Sequence, residues 1–438
     1  MPRLRRSFSS RQALIDYVSE QFPKAAERDA SVSPIKGGRR HAERILKKID
    51  PARYRYTRGK LGGAITQLSP YVRHGVMTLA EVRDYALERV EKKGDAWKLI
   101  SQMSWRDYFQ RVYEVLGKDI YQDFEPYKTG LPLNAYTDEV PKDLRKGETG
   151  AVCVDSFVAM LSENGFLPNT VRLWLAAYTV HWRRVRWQAG AAWWLEHLLD
   201  GDPAANALGW QWVASTWRYM PYIWNRGNLV KKAGKQFCER CPLLDNGCPF
   251  QGTYASLTAE LFEGRGVHPE QADNKLDLSI LKGASVQIPL PRPKHSKEKT
   301  IVWIHGDGLN PQGPALSAYP EAKAVWVWDE ALLASYDITL KRLVFLYECL
   351  TDLPVQVQRG DVAEEVAEFA AKQDAKVIAT THSPSPRFAE IVAELSKTYE
   401  VQIWSEVVFA EFEGEANLSS HKTYWQQTKG SALSSSSA

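Results

Sequence analysis

The residues from Gly147 to Trp217, GETGAVCVDSFVAMLSENGFLPNTVRLWLAAYTVHWRRVRWQAGAAWWLEHLLDGDPAANALGWQWVASTW, restrict this chain more than any other part of it. Apolar residues recur at helical spacing through Val154, Phe157 and Leu161 and again through Val171, Leu175 and Tyr178, which predicts core helices. Among them stand polar residues that a core excludes unless they have a task. Asn169 and Arg172 fall one turn apart on one helix, and the loop Asp200-Gly201-Asp202-Pro203-Ala204-Ala205-Asn206 opens another that carries Trp210 and Trp212. An arginine and carboxylates inside an aromatic shell must pair, because an isolated charge there costs several kcal/mol. The pattern predicts a polar niche around a large flat ligand.

A chain of 438 residues has room for about two to three domains, each with its own core. Net charge is only +4, but its distribution is uneven: Arg3, Arg5, Arg6, Arg39, Arg40, Lys47, Lys48 and Lys60 crowd the start, whereas Asp361 to Glu415 is acidic-rich. A basic half can face phosphates even when the total is near neutral; a solvated helical surface accounts for the same charges. No apolar run reaches the roughly 18 residues of a membrane span, and the start lacks the apolar centre of a signal peptide. The expectation is a cytoplasmic protein without a membrane partner. In that reducing compartment five cysteines point to metal ligation or burial, not disulfides.

Helical periodicity covers Ser10 to Gln21, Arg39 to Ile49, Thr78 to Glu91 and Ala96 to Leu116, punctuated by Pro23, Pro34, Pro51 and Pro70. Thr66, Gln67, Leu68 and Ser69, preceded by Gly62 to Ile65, set small and hydroxyl residues ahead of a helix start, a plausible phosphate seat or an ordinary N-cap. Gln102, Trp105 and Arg106 share one helix; a solvent-facing Trp there suits stacking on an extruded base, and an interfacial core Trp fits the same pattern. Cys238-Glu-Arg-Cys241 is a CxxC knuckle, Cys248 follows closely, and Cys153 opens a core helix. Such a set suits zinc, an iron–sulfur cubane or simple packing.

Beyond residue 282 the character changes. The Pro/Lys-rich run up to residue 299 reads as an extended linker. After it, Thr300–Ile304, Ala324–Trp328, Val355–Val357, Val377–Thr381 and Val401–Trp404 alternate with helices, the pattern of a doubly wound parallel sheet. The organisation expected is therefore a helical domain over 1–282, a linker over 283–299, an α/β (Rossmann-like) domain over 300–425 and a disordered serine-rich tail over 426–438. No internal repeat is evident.

GETG with Val154-Asp155, the turn Asn164-Gly165-Phe166, Asn169 with Arg172, DGD followed by Asn206, and GWQWVAST resemble the flavin-binding core of the photolyase/cryptochrome family. The resemblance implies an α-helical FAD-binding domain. On it, Tyr54, Ile65, Thr66, Gln67, Leu68 and Ser69 contribute to the cofactor site, with Tyr56 an alternative to Tyr54. Arg172 and Asp200 form the ion pair across the isoalloxazine, Asp202 helps seat the cofactor, and Asn206 lies beside N5. Trp210 and Trp187 match the first members of the family's electron relay, with Tyr127 and Tyr136 as candidates for the third. Gln102, Trp105 and Asn169 match lesion-contacting positions. Together with Asn206 they would serve DNA repair, with UV-damaged or single-stranded DNA as partner and the protein acting as a monomer.

Cys153, Cys238, Cys241 and Cys248-Pro249-Phe250, with Pro221-Tyr222 and Asn228, resemble the family's iron–sulfur bacterial branch, which implies one 4Fe–4S cluster. Asn310-Pro311 and Pro314-Ala315-Leu316 resemble a motif of the family's α/β domain. That domain comes first in the family and last here, so the chain resembles a circular permutant. Some positions depart from the pattern. Pro168 and Asn169 stand where (6-4) enzymes have a His pair, Gln102 and Leu173 where dimer photolyases have Glu and Met, and His305 and Gly306 where an arginine pair is usual. The resemblance thus allows light-driven repair or a cryptochrome-type photoreceptor without repair, and leaves an antenna chromophore possible but unidentified.

Overall fold

A computed structural model describes residues 3–262, 279–281, 283–287, 292–412 and 414–434. The chain divides into two compact units: one takes residues up to 52, 66–117 and those from 283 on, the other takes 53–65 and 118–282.

The first unit is built on a five-stranded sheet of β2 (Thr300–Ile304), β3 (Ala324–Asp329), β4 (Val355–Gly360), β5 (Val377–Thr381) and β6 (Glu400–Trp404), while β1 (Ser285–Gln287) and β7 (Glu415–Asn417) form a separate pair. The order is β4-β3-β2-β5-β6 and every pairing in the sheet is parallel, so the expected doubly wound architecture holds. Continuous Val/Ile/Trp runs make such strands, because helices cover both faces. Ile301, Trp303, Val325 and Val327 pack against Val366, Phe369, Phe388, Ile391 and Leu395.

The expected boundary at residue 282 does not hold for the start of the chain, whose first 117 residues group mainly with the sheet. The reason is long-range packing. Leu4 makes an antiparallel bridge to Val357 on the edge strand β4, covering backbone groups an edge leaves open. The helix Arg11–Gln21 packs on the helix Leu340–Thr351, tied by Arg11 Nε to Glu348 at 2.6 Å. Local chemistry did set the helix starts. Ser10 caps the first helix, and Thr78 with Glu81 forms a capping box on Leu79–Glu88.

Two further expectations are corrected. The run 283–299 is not simply a linker: Ser285–Gln287 pairs antiparallel with Glu415–Asn417, and His295 packs 4.5 Å from Tyr319 and 5.5 Å from Trp404, centroid to centroid; residues 288–291 lie outside those described. The expected tail from residue 426 is largely helical, since His421–Ala432 is a helix that buries Tyr424, Thr428 and Ala432; residues 435–438 lie outside those described. Serine content signalled disorder, but Ser420 instead caps that helix, accepting from the Thr423 N–H at 3.1 Å.

The second unit is helical and rich in buried aromatics. Phe157, Trp174, Trp187, Trp193, Trp210, Trp224 and Phe250 are almost fully buried. Its framework is Val152–Asn164, Asn169–Ala177, Trp187–His197, Pro203–Ala214 and Arg226–Ala233. Gly165 ends the first of these at φ 63°, a left-handed C-cap that suits glycine. A π-helical turn, Tyr178–Trp182, follows Ala177. Among the described residues no helix is long and apolar enough to cross a membrane.

Candidate functional site

The helix Asn169–Ala177 and the loop leading to Pro203–Ala214 meet through one ion pair. Arg172 Nη2 lies 2.9 and 2.6 Å from the two oxygens of Asp200, and its Nε donates to Leu167 O at 2.9 Å. The aspartate is buried and the arginine partly so, at 6% and 23% side-chain exposure, which is the pairing that an aromatic shell requires. Asp202, also buried, accepts from the Ala205 N–H at 2.9 Å, so its structural work is to cap the next helix with Pro203 at the first position.

One turn into that helix stands Asn206. Its Nδ2 donates to Ala191 O at 2.9 Å, while its buried Oδ1 has no partner among the described residues. An orphaned acceptor of that kind costs about 1–3 kcal/mol and suits a ligand N–H. Trp210, a turn further on, packs edge-on against Trp194 at 4.6 Å, and the Nε1 atoms of both rings are buried without a partner among the described residues. The close approach depends on Gly190, where an added Cβ would sit 2.4 Å from Trp210 Cη2.

Gly190 lies on the helix begun by Trp187. The Trp187 indole donates to Asp123 Oδ1 at 2.5 Å, the same oxygen accepts from Gln188 Nε2 at 3.0 Å, and the Trp187 backbone N–H donates to Tyr127 Oη at 3.2 Å. Tyr127 and Tyr136 follow at 4.8 Å between ring centroids, and burial raises both phenols above their ordinary range. Asp123 and Gly190 were missed in the sequence: Asp123 sits in no motif, whereas the glycine between Trp187 and Trp193-Trp194 was a usable signal.

The cysteines come together as well. Cys153, Cys238, Cys241 and Cys248 line one pocket whose walls include Leu229, Phe237, Phe250 and Arg226. Burial and the neighbouring sulfurs push the Cys153 thiol up to about 12. As placed, no group of three or more His, Cys, Asp or Glu among the described residues is drawn tight enough to hold a metal. The donor set nonetheless fits a metal: four thiols converge on an apolar pocket from one helix and the 238–248 segment, and thiolates are what zinc or an iron–sulfur cubane takes.

The other expected site residues are divided between the two units. Tyr54 is partly buried, its phenol raised by desolvation, and belongs with Ile65 to the helical unit; Thr66, Gln67, Leu68 and Ser69 belong to the sheet-containing unit. There Gln67 takes a left-handed φ of 52°, and the short helix Ser69–Arg73 has no side-chain cap on its first N–H groups. Asn169 is exposed as the first residue of its helix. Gln102 and Trp105 lie on the helix Lys93–Leu116. For Trp105 the sequence allowed a solvent-facing ring or an interfacial one, and it is half-buried. It is stacked on His421, 3.7 Å between centroids and 11° from parallel, with Ser104 Oγ 2.8 Å from His421 Nε2. Burial lowers the His421 pKa to about 4, so the imidazole is neutral in this stack.

At the carboxyl ends of β2 and β5, where a doubly wound sheet reverses its order, the space is filled by charge pairing. Asp307 takes Arg73 and the Ser383 hydroxyl, and His305 Nε2 lies 2.7 Å from Thr381 O.

Residues 99–237 match the family described as the FAD binding domain of DNA photolyase. The deoxyribodipyrimidine photo-lyase of Streptomyces griseus is 32% identical over 155 residues, 35% of this chain and 33% of that protein. A chloroplastic/mitochondrial cryptochrome DASH of Ostreococcus tauri is 32% identical over 277 residues, 60% of this chain and 48% of that protein. The chain thus spans between a third and a half of the length of these relatives. The solved photolyase of Sulfolobus tokodaii aligns at 22% identity and a TM-score of 0.39 over 57% of this chain and 55% of its own. Residues 99–237 are thus similar to the FAD binding domain of DNA photolyase, and the relatives that match are named both photolyase and cryptochrome.

Proposed function

We propose that this chain is a blue-light-driven electron-transfer flavoprotein that repairs UV pyrimidine photoproducts in DNA, a carbon–carbon lyase. The observations that carry the reading are the Arg172–Asp200 ion pair and Asn206, on the helix that Asp202 caps, whose buried Oδ1 has no partner among the described residues. When bound, FAD supplies the light absorption and the one-electron chemistry that no side chain offers. The residues do the rest. Arg172 and Asp200 orient the ring system and exclude water, Asn206 Oδ1 accepts an N–H, and Asp202 holds the helix that presents Asn206. Trp210 and Trp187 are oxidisable rings linked through one helix contact at Gly190.

On the same reading Cys153, Cys238, Cys241 and Cys248 hold one 4Fe–4S cluster, and the chain is a circular permutant of the family with its α/β domain last. A second reading, a cryptochrome-type photoreceptor without repair, is favoured by the Trp105–His421 stack, which covers the ring meant for a nucleobase. The test is blue light on the purified protein with dimer-containing and (6-4)-containing single strands, products separated by chromatography. Restored bases support repair. Photoreduction with intact lesions supports the photoreceptor, and heat-treated protein that releases no FAD ends both readings.

A further inference from the structure

We propose that Asp123 is the proton acceptor of Trp187: when that indole is oxidised by one electron, the proton on its Nε1 passes to Oδ1 of Asp123. The proposal rests on the light-driven electron-transfer reading above and names a positioning residue for it.

The Trp187 ring is fully buried, and its N–H points at a carboxylate oxygen 2.5 Å away, a close hydrogen bond. Its neighbours differ. Trp174 donates to the amide oxygen of Asn228 at 3.3 Å, Trp182 to Pro249 O at 2.9 Å and Trp224 to Trp174 O at 2.9 Å, all neutral acceptors that satisfy an indole without being able to keep its proton. Satisfaction alone would not need an acidic group here, and Asp123 is partly buried, so its proton-accepting oxygen is held at the indole and not spread into solvent. Gln188 Nε2 holds the same oxygen at 3.0 Å and fixes its direction.

The step balances as follows. Once oxidised by one electron, with a bound light-excited flavin as the oxidant, Trp210 would take one electron from Trp187 and return to neutral indole. The Nε1–H bond of Trp187 breaks, the proton bonds to Asp123 Oδ1, and what remains is a neutral indolyl radical beside a protonated carboxyl. Two consequences follow from charge. The carboxylate lowers the energy of the indole cation while it lasts, by Coulomb attraction at hydrogen-bond distance. Loss of the proton then removes the positive charge that would draw the electron back, so the oxidised state lives longer. When an electron returns to the ring, the proton returns with it.

The experiment is flash excitation of the FAD-loaded protein with transient absorption, which separates the indole cation from the deprotonated indolyl radical, in H2O and in D2O. Wild-type protein should show a deprotonation phase slowed in D2O. Asp123→Asn keeps an acceptor oxygen but cannot keep the proton, so this phase should slow by about 100-fold or more and the charge-separated state should recombine sooner, with FAD content unchanged. Asp123→Glu should restore part of the rate. An unchanged phase in Asp123→Asn overturns the proposal while leaving the electron-transfer reading intact; wild-type protein that never forms a tryptophan radical overturns both. If the variant does not fold, the dark wild-type protein decides. Its Trp187 indole proton should resonate far downfield and exchange slowly, and an ordinary indole shift refutes the hydrogen bond on which the step depends.

Discussion

Arg172 and Asp200 illustrate how one pair can serve both folding and ligand binding. Because Asp200 is the more buried partner, Arg172→Ala strands a carboxylate, and the expected loss is about 3–5 kcal/mol in urea unfolding together with weaker FAD retention. Asn206 acts on the ligand side: Asn206→Asp replaces a fixed amide with a group that is charged at neutral pH, and should change which flavin redox state persists after illumination, read from photoreduction spectra. His181, buried in the π-helical turn with Nε2 3.0 Å from Val213 O, gives a pH prediction. Desolvation lowers its pKa to about 3, against 6.5 when unfolded. Above pH 6.5 both states are neutral and the residue contributes no pH dependence. Below it the unfolded chain alone binds the proton, so stability should fall by about 1.4 kcal/mol per pH unit until the folded value is approached. Unfolding midpoints between pH 7 and 5 measure the slope, and His181→Gln should flatten it.

At the scale of elements, tight contacts decide more than propensity. Gly190 is the place where two helices of the aromatic core touch through a ring, and Gly190→Ala should displace Trp210, costing about 1–3 kcal/mol by overpacking. Thermal unfolding and the yield of photoreduced flavin should fall together. Ser420→Ala removes a helix cap at a cost of about 1 kcal/mol, visible in thermal unfolding. What was legible in the sequence follows the same division. The helical segments beginning at Ser10 and Thr78 and the apolar runs of β2 to β6 depend on neighbours within a few residues, and they were readable. The pairing of Ser285–Gln287 with Glu415–Asn417, the bridge from Leu4 to Val357 and the contact between Trp105 and His421 join residues far apart along the chain, where no local pattern marks the partner. The candidate site divides likewise: Arg172, Asp200 and Asn206 belong to spaced motifs, while Asp123 reaches Trp187 from a loop that carries no motif.

For the molecule as a whole, the cysteine pocket is the feature on which assembly should turn. It ties the start of Val152–Asn164 to the segment after Asn228, so a metal bound there, as proposed above, would contribute directly to folding. If the cluster is present, Cys153→Ser should lower soluble yield and FAD retention as well as iron content, whereas Cys349→Ser, whose sulfur accepts from the Gly38 N–H, should leave iron and sulfide content as in the wild type. Metal and sulfide analysis of anaerobically prepared protein checks both, and one zinc without sulfide would replace the cluster while keeping its ligands. The stack of His421 on Trp105 has a consequence for affinity. Any planar ligand that uses that ring must wait for the chain to vacate it, and its measured dissociation constant is the intrinsic one divided by the fraction of molecules with the imidazole swung away. At one open molecule in about a hundred, that discount is about 100-fold. The protein would then respond to whatever loosens its own C-terminal helix as sharply as to the concentration of the ligand itself.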